Sequence, residues 1–160
     1  MVQTLEEEKD MQAEIRFHKV TAETHFPNWA HAESVVQFFH ETMQPYQDSP
    51  EDIQCGLDYA FSTEPGKGGF LMLAEVEGEL AGALLMLRTG MQGYIPANLL
   101  LFVSINPKLR GQGIGMQLIE HSHAACDGDV ALHVDFDNPA KRLYERLGYV
   151  HKYAEMRLSR

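Results

Sequence analysis

Apolar residues recur along the chain with two different periods, and each change of period marks an element. Ile15 and Phe17 alternate with Arg16 and His18, which predicts a first strand over residues 13–21. Ala32, Val35, Val36, Phe39 and Met43 fall at helical spacing. They predict an amphipathic helix that starts near Phe26-Pro27-Asn28 and ends at Gln44-Pro45. Ser49-Pro50-Glu51-Asp52 has the form of a helix start, with a capping side chain, proline at the first helical position and acids in the first turn. Ile53, Leu57, Ala60 and Phe61 give that second helix its apolar face. The glycine- and proline-rich stretch 63–69 reads as a loop. Residues 70–77 and 79–88 are apolar-rich runs joined at Gly78, a hairpin.

After a second loop, 89–96, the apolar run 97–105 reads as a central strand. Asn106-Pro107 stops it, because proline cannot donate to a ladder. A helix over 111–126 follows, with Ile114, Leu118 and Ala125 on one face, then a strand over 129–135. Asn138-Pro139 opens a last helix, lined by Ala140, Leu143, Tyr144 and Leu147 and closed by Gly148. Residues 149–158 read as extended. The order β-α-α-β-β-β-α-β-α-β joins hairpins to β-α-β units and predicts an α/β (α+β) fold, a mixed sheet with helices packed on it.

A chain of 160 residues is the size of one domain. It is read as a polar tail over 1–13, with Glu6, Glu7, Glu8 and Asp10, and a single domain over 14–160. Apolar residues at 44% and charged residues at 22% exclude a disordered or fibrous chain. The apolar runs 80–87 and 99–103 are far shorter than the roughly 18–20 residues of a membrane helix, so no membrane partner is expected. The amino terminus lacks a basic start and an apolar core, so no leader is expected either. Thirteen Lys and Arg against 23 Asp and Glu leave a net charge of −10, which argues against nucleic acid as partner. Cys55 and Cys126 lie in helix-like segments without metal-ligand spacing and read as reduced thiols of a cytoplasmic protein. His121 and His123, two apart on a helix, point to different faces, and no metal site is expected.

The chemistry is concentrated in residues 101–115, a strand, a short turn, a glycine-rich loop and a helix start. Such a junction aims several backbone N–H groups, and the positive end of the helix dipole, at one point, so a phosphate or pyrophosphate is its natural ligand. The P-loop pattern fails, since Gly66-Lys67 is followed by Gly68. The dinucleotide pattern fails where Met116 replaces its third glycine.

The pattern that is met is R-x-x-G-x-G, with Arg110, Gly111, Gln112, Gly113, Ile114 and Gly115, after a strand ending Val103-Ser104-Ile105-Asn106-Pro107. Downstream stands Leu132-His-Val134, then Asn138-Pro-Ala140-Lys-Arg-Leu-Tyr144-Glu-Arg-Leu-Gly148-Tyr149. Together these resemble the GNAT superfamily of acyl-CoA-dependent N-acyltransferases, and the element order agrees over roughly residues 14–158. The resemblance implies a three-layer fold, a mostly antiparallel sheet of about 6–7 strands flanked by about four helices. It implies acetyl-CoA as co-substrate and an amine as acceptor. Backbone amides of Gly111, Gln112, Gly113, Ile114, Gly115 and Met116 would hold the pyrophosphate, with Arg110 beside them. The backbone of Val103, Ser104 and Ile105 would pair with pantetheine where their strand splays from the next, and Asn138 would contact CoA. Tyr144 would face the CoA sulfur as general acid.

Alternatives remain beside these roles. Tyr144 also lies on an apolar stripe, so a packed core residue is the alternative to its catalytic role, and a plain helix cap is the alternative for Asn138, compatible with a contact to CoA. The strand before the loop holds no acid, so the general base is open among Asp135, Asp137, Glu75, His133 and a base acting through ordered water. Tyr46 and Tyr94 are candidates to line the acceptor site; Glu41, Asp48, Glu51 and Asp52 read first as solvated acids at helix ends, with attraction of a cationic amine as the second reading. A small-molecule amine is the first reading; a peptide N-terminus or lysine, a non-catalytic acyl-CoA-binding module and a nucleotide enzyme are the others. Dimers are common in that superfamily.

Overall fold

The computed structural model describes residues 13–160, so the acidic residues of the expected tail lie outside the described part. Five strands form one sheet in sequence order: β1 (Ile15–Val20), β2 (Gly69–Val76), β3 (Glu79–Arg88), β4 (Asn98–Ile105) and β5 (Val130–Leu132). The first four pair antiparallel, while β5 runs parallel to β4. Helices α1 (Ala32–Thr42) and α2 (Pro50–Phe61) cover one face, and α3 (Ile114–Ala124) and α4 (Lys141–Arg146) the other. The three layers are those of the expected fold.

Two apolar cores follow from strand alternation. Leu71, Leu73 and Leu85 meet Val35, Phe39, Ile53 and Leu57 on one side, and Phe70, Met72, Leu84 and Met86 meet Leu118 and Ile119 on the other. Burial on both faces is why β2 and β3 read as continuous apolar runs rather than alternating ones. Their hairpin turns through Glu77 and Gly78, both at positive φ (52° and 80°), the form of tight turn whose twist matches paired strands. Ser49 caps α2 as expected, accepting the Asp52 N–H at 3.1 Å with Pro50 at the first position.

Three expectations are corrected. Helix α1 begins at Ala32, because Phe26, preceding Pro27, is held extended, and the chain instead makes a 3-10 turn at Glu23–His25. His31 caps α1, its Nδ1 accepting the Ser34 N–H at 3.2 Å. Helix α4 begins at Lys141, because Asn138, Pro139 and Ala140 wind first through i to i+3 bonds. The sheet has five strands rather than 6–7: β5 keeps only three residues, and 149–158 joins no ladder, its side chains exposed from Val150 onward.

The short β5 has a local cause. Leu85 stands opposite Phe102 and Met86 opposite Leu100, which makes Leu101 an extra residue on β4. Such a bulge bends and twists its strand. The pairing of β4 with β5 stops at Leu100 and Leu132, and the two strands part there.

Candidate active site

The bulge at Leu101 decides what the rest of β4 presents. Leu100 packs on the α3 side, Phe102 on the α1 and α2 side, and Val103 and Ile105 again on the α3 side. Ser104 is buried and turned towards α1, its hydroxyl 2.8 Å from that of Thr42. Asn106 donates to the Ala81 carbonyl at 2.8 Å. By alternation along an antiparallel ladder, the main chain of Ser104 then faces β3, while that of Val103 and Ile105 faces the gap vacated by β5. An unpaired strand edge is a template for an extended chain.

At the end of β4, the Asn106 Oδ1 accepts the Lys108 N–H at 3.0 Å and winds the 3-10 turn Pro107–Leu109. The glycine loop follows. Gly111 and Gly113 both have φ of 79°, a conformation strained for any other residue, so these two glycines shape the turn into α3. Gly113 is the N-cap and offers no side chain, so the first N–H groups of the eleven-residue α3, from Ile114, Gly115 and Met116, have no side-chain cap. Gln112 is exposed on the same loop. A Cβ on Gly115 would stand 3.6 Å from both Ile105 and Leu143, which places α4 directly beside the loop. Arg110, named from the sequence as a cofactor residue, borders the cleft together with the two residues whose carbonyls hold its guanidinium. Its Nε donates to the Ile105 carbonyl at 3.1 Å and its Nη2 to the Thr42 carbonyl at 2.6 Å.

Next to Leu143 stands Tyr144. It is only 8% exposed, belongs to the α3-side core, and borders the cleft as well. Burial pushes its phenol up to about 12. Its ring meets Tyr149 edge-on at 5.8 Å, and the Tyr149 hydroxyl lies 2.6 Å from His123 Nε2. Burial, with Tyr144 and Cys126 nearby, pushes Tyr149 up to about 12, and burial lowers His123 from the usual histidine range. The sequence alone assigns no role in the site to Tyr149, His123 or Thr42, because each gains its meaning from a partner distant along the chain. Asn138 accepts the Ala140 N–H at 3.0 Å, the cap of its turn, and also borders the cleft.

The cleft has a volume of about 2410 Å³ and runs between the α1–α2 junction, the loop before β4, the glycine loop, α4 and the carboxy-terminal segment. Tyr46, Tyr94, Asp48 and Asp52 border it, whereas Glu41 and Glu51 do not. The Tyr46 hydroxyl donates to the Asp137 carbonyl at 3.3 Å, which joins the α1–α2 junction to the segment after β5. Desolvation and the carboxylates of Asp137 and Asp135 raise its pKa. Among the base candidates, Asp135 and His133 border the cleft. Glu75 does not: it pairs with His18 at 2.7 Å and accepts the Gly78 N–H at 3.1 Å. Among the described residues, no three His, Cys, Asp or Glu side chains converge as a metal cage, and no helix is long and apolar enough to cross a membrane.

Known proteins share this fold. An aminoglycoside N-acetyltransferase solved with CoA superposes with a TM-score of 0.65 at 12% identity, over 93% of this chain and 96% of that one. A ribosomal-protein-alanine N-acetyltransferase from Brucella melitensis biovar Abortus 2308 gives 0.61 at 12% identity, over 91% and 99%. Ard1 from Thermoplasma volcanium gives 0.61 at 14%, over 87% and 84%. At these identities the likeness is one of fold. No curated protein matches the sequence. The model of the acetyltransferase (GNAT) domain matches residues 67–151, just over half of the chain and the whole stretch from β2 through the glycine loop to α4. The chain belongs to the GNAT acetyltransferase family.

Proposed function

We propose that the protein transfers the acetyl group of acetyl-CoA to a primary amine of a small molecule, by direct attack with both substrates bound. One observation carries this reading: an uncapped helix N-terminus behind a glycine loop stands beside a strand edge freed by a bulge, with Leu143 of α4 against the loop and its neighbour Tyr144 bordering the same cleft. Anionic phosphates suit the first, an extended amide arm suits the second, and the residues present fit CoA on both counts. The amides of Gly111 to Met116 would hold the pyrophosphate, and Val103 and Ile105 the pantetheine arm. Acetyl-CoA supplies the activated acyl group.

The acceptor reaches the site past Tyr46, Asp48 and Asp52. An alkylammonium of pKa near 10.4 must lose a proton before it attacks, and Asp135, His133 or an ordered water would take it. A backbone N–H on the bulged strand would stabilise the negative charge that develops on the thioester oxygen. Tyr144 donates to the departing sulfur. With its phenol near 12 and a thiol near 8.5, complete proton transfer is uphill by about 3.5 pK units, so Tyr144 acts first as a hydrogen-bond donor. Two unpaired cysteines, Cys55 and Cys126, suit a cytoplasmic setting. Association of two copies is the accompanying expectation, since Phe136, Val150, Met156 and Leu158 are each at least 80% exposed, and light scattering measures it.

The test is calorimetric titration with acetyl-CoA, CoA, ATP and NAD, followed by thiol release with a panel of small amines and peptides. Selective micromolar binding of the CoA compounds and turnover of a small amine are the expected results. Binding of ATP or NAD instead sinks the assignment of the loop. Binding of acetyl-CoA without turnover of any amine leaves a non-catalytic module. Turnover of peptides alone moves the substrate to a protein.

A further inference from the structure

We propose that Arg110 is a positioning residue that ties the acceptor side of the cleft to the donor side, so that CoA held at the glycine loop orders the last turn of α1. The proposal rests on the reading of that loop as the CoA site. Both bonds of the guanidinium go to main-chain carbonyls, Ile105 at the end of β4 and Thr42 at the end of α1. Among the described residues no carboxylate lies within ion-pair distance of it. Thr42 is the last residue of its helix, so its carbonyl has no partner within the helix and carries the negative end of the dipole. A guanidinium, with its fixed fork of donors, can bridge two such carbonyls; an ammonium cannot hold the same geometry.

A second tether acts at the same turn, the contact of the Thr42 and Ser104 hydroxyls at 2.8 Å. What lies beyond the two tethers gives them their consequence. Gly111, next to Arg110, opens the loop read as the phosphate cradle, and the residues just after Thr42 lead to Tyr46 and Asp48 on the acceptor wall. Fixing the loop fixes Arg110, and Arg110 fixes the end of the helix that carries that wall. The guanidinium is thus committed to protein carbonyls, and phosphate recognition falls to the loop amides. Coupling of this kind is reciprocal: an acceptor that orders the wall tightens CoA by the same factor as CoA tightens the acceptor.

Backbone hydrogen exchange across residues 38–43, in wild type, Arg110→Lys and Arg110→Ala, with and without saturating CoA, tests this directly. Without ligand, both variants should exchange about 5-fold or more faster than wild type at the end of α1, and the rest of the sheet should be unchanged. With CoA, exchange there should slow in wild type and not in Arg110→Ala, while the calorimetric Kd for CoA changes by less than about 3-fold. Unchanged exchange in the ligand-free variants overturns the tie. Loss of CoA affinity by more than about 10-fold in Arg110→Lys, whose charge is kept, makes Arg110 a phosphate ligand and overturns it as well. Failure of wild type to bind CoA refutes the functional reading instead, and the ligand-free comparison still decides the tie. Arg110→Lys serves as the folded control should Arg110→Ala fail to fold.

Discussion

Burial makes Tyr144 a weaker acid and a more persistent donor. Its phenol stays protonated through neutral and mildly alkaline pH, so Tyr144 sets no limit to activity below about pH 10. The rate should instead climb with pH as the acceptor amine loses its proton, and a decline between pH 8 and 9, measured by thiol release, would contradict the assignment. Tyr144→Phe removes the donor and keeps the ring. Turnover should fall about 100-fold or more with the KM for acetyl-CoA nearly unchanged. The same burial has a consequence for stability. A phenol raised in the folded state contributes stability that is intact below its unfolded pKa near 10 and is lost as pH rises through about 12. The loss attributable to Tyr144 is at most about 2.7 kcal/mol, and denaturant titrations at pH 9 and pH 11.5 should show a shallower fall in Tyr144→Phe. At this scale the sequence named Tyr144, Asn138 and the glycines from a motif. It said nothing of Arg110's acceptors, because one of them lies 68 residues earlier in the chain.

Elements were legible wherever a local signal sets them. Ser49-Pro50 starts α2 and the Glu77-Gly78 turn closes the hairpin, both by backbone rules that need no tertiary partner. The starts of α1 and α4 moved instead, where Phe26 stays extended before Pro27 and a turn of i to i+3 bonds precedes Lys141. The parting of β4 and β5 depends on a register shift, and register is a property of two strands rather than one. Asn98 shows what anchors the paired part. It is 2% exposed, and its Nδ2 donates to the Asp127 carbonyl at 2.6 Å and to that of Asp129 at 3.3 Å, pinning the start of β5 to the start of β4. Asn98→Ala removes this donor from both carbonyls and empties the space of a buried side chain, while the Asp129 carbonyl keeps the Asn98 main-chain N–H. Unfolding in urea should show a loss of about 1–3 kcal/mol with an unchanged m-value. An effect within about 0.5 kcal/mol would mean that water replaces the side chain.

At the scale of the molecule, the core and the cleft make different demands on the chain. The core is closed by the four helices and five strands, and every residue after Tyr149 is exposed. The carboxy-terminal segment instead borders the cleft, where Tyr153 packs on Tyr94 at 5.5 Å between ring centroids. Deletion of residues 150–160 should therefore leave Tm within about 4 °C, since a change of 1 kcal/mol moves a domain of this size by roughly that much. Its effect belongs in the KM for the amine and in the association state, read by thiol release and light scattering. A fall in Tm of more than about 10 °C would show that the segment is part of the folded core after all.

The division between what the sequence determined and what the tertiary structure decided follows the range of the forces. Hydrophobic period, caps, turn glycines and the loop-to-helix junction are short-range matters, so the layer order, the position of the glycine loop and the family were legible from residues alone. Four features needed the folded chain: the bulge at Leu101, the outward-facing edge at Val103 and Ile105, the burial that raises Tyr144, and the bridge from Arg110 to Thr42. Each depends on packing or hydrogen bonding between groups far apart in sequence, and no local pattern encodes which distant group will arrive.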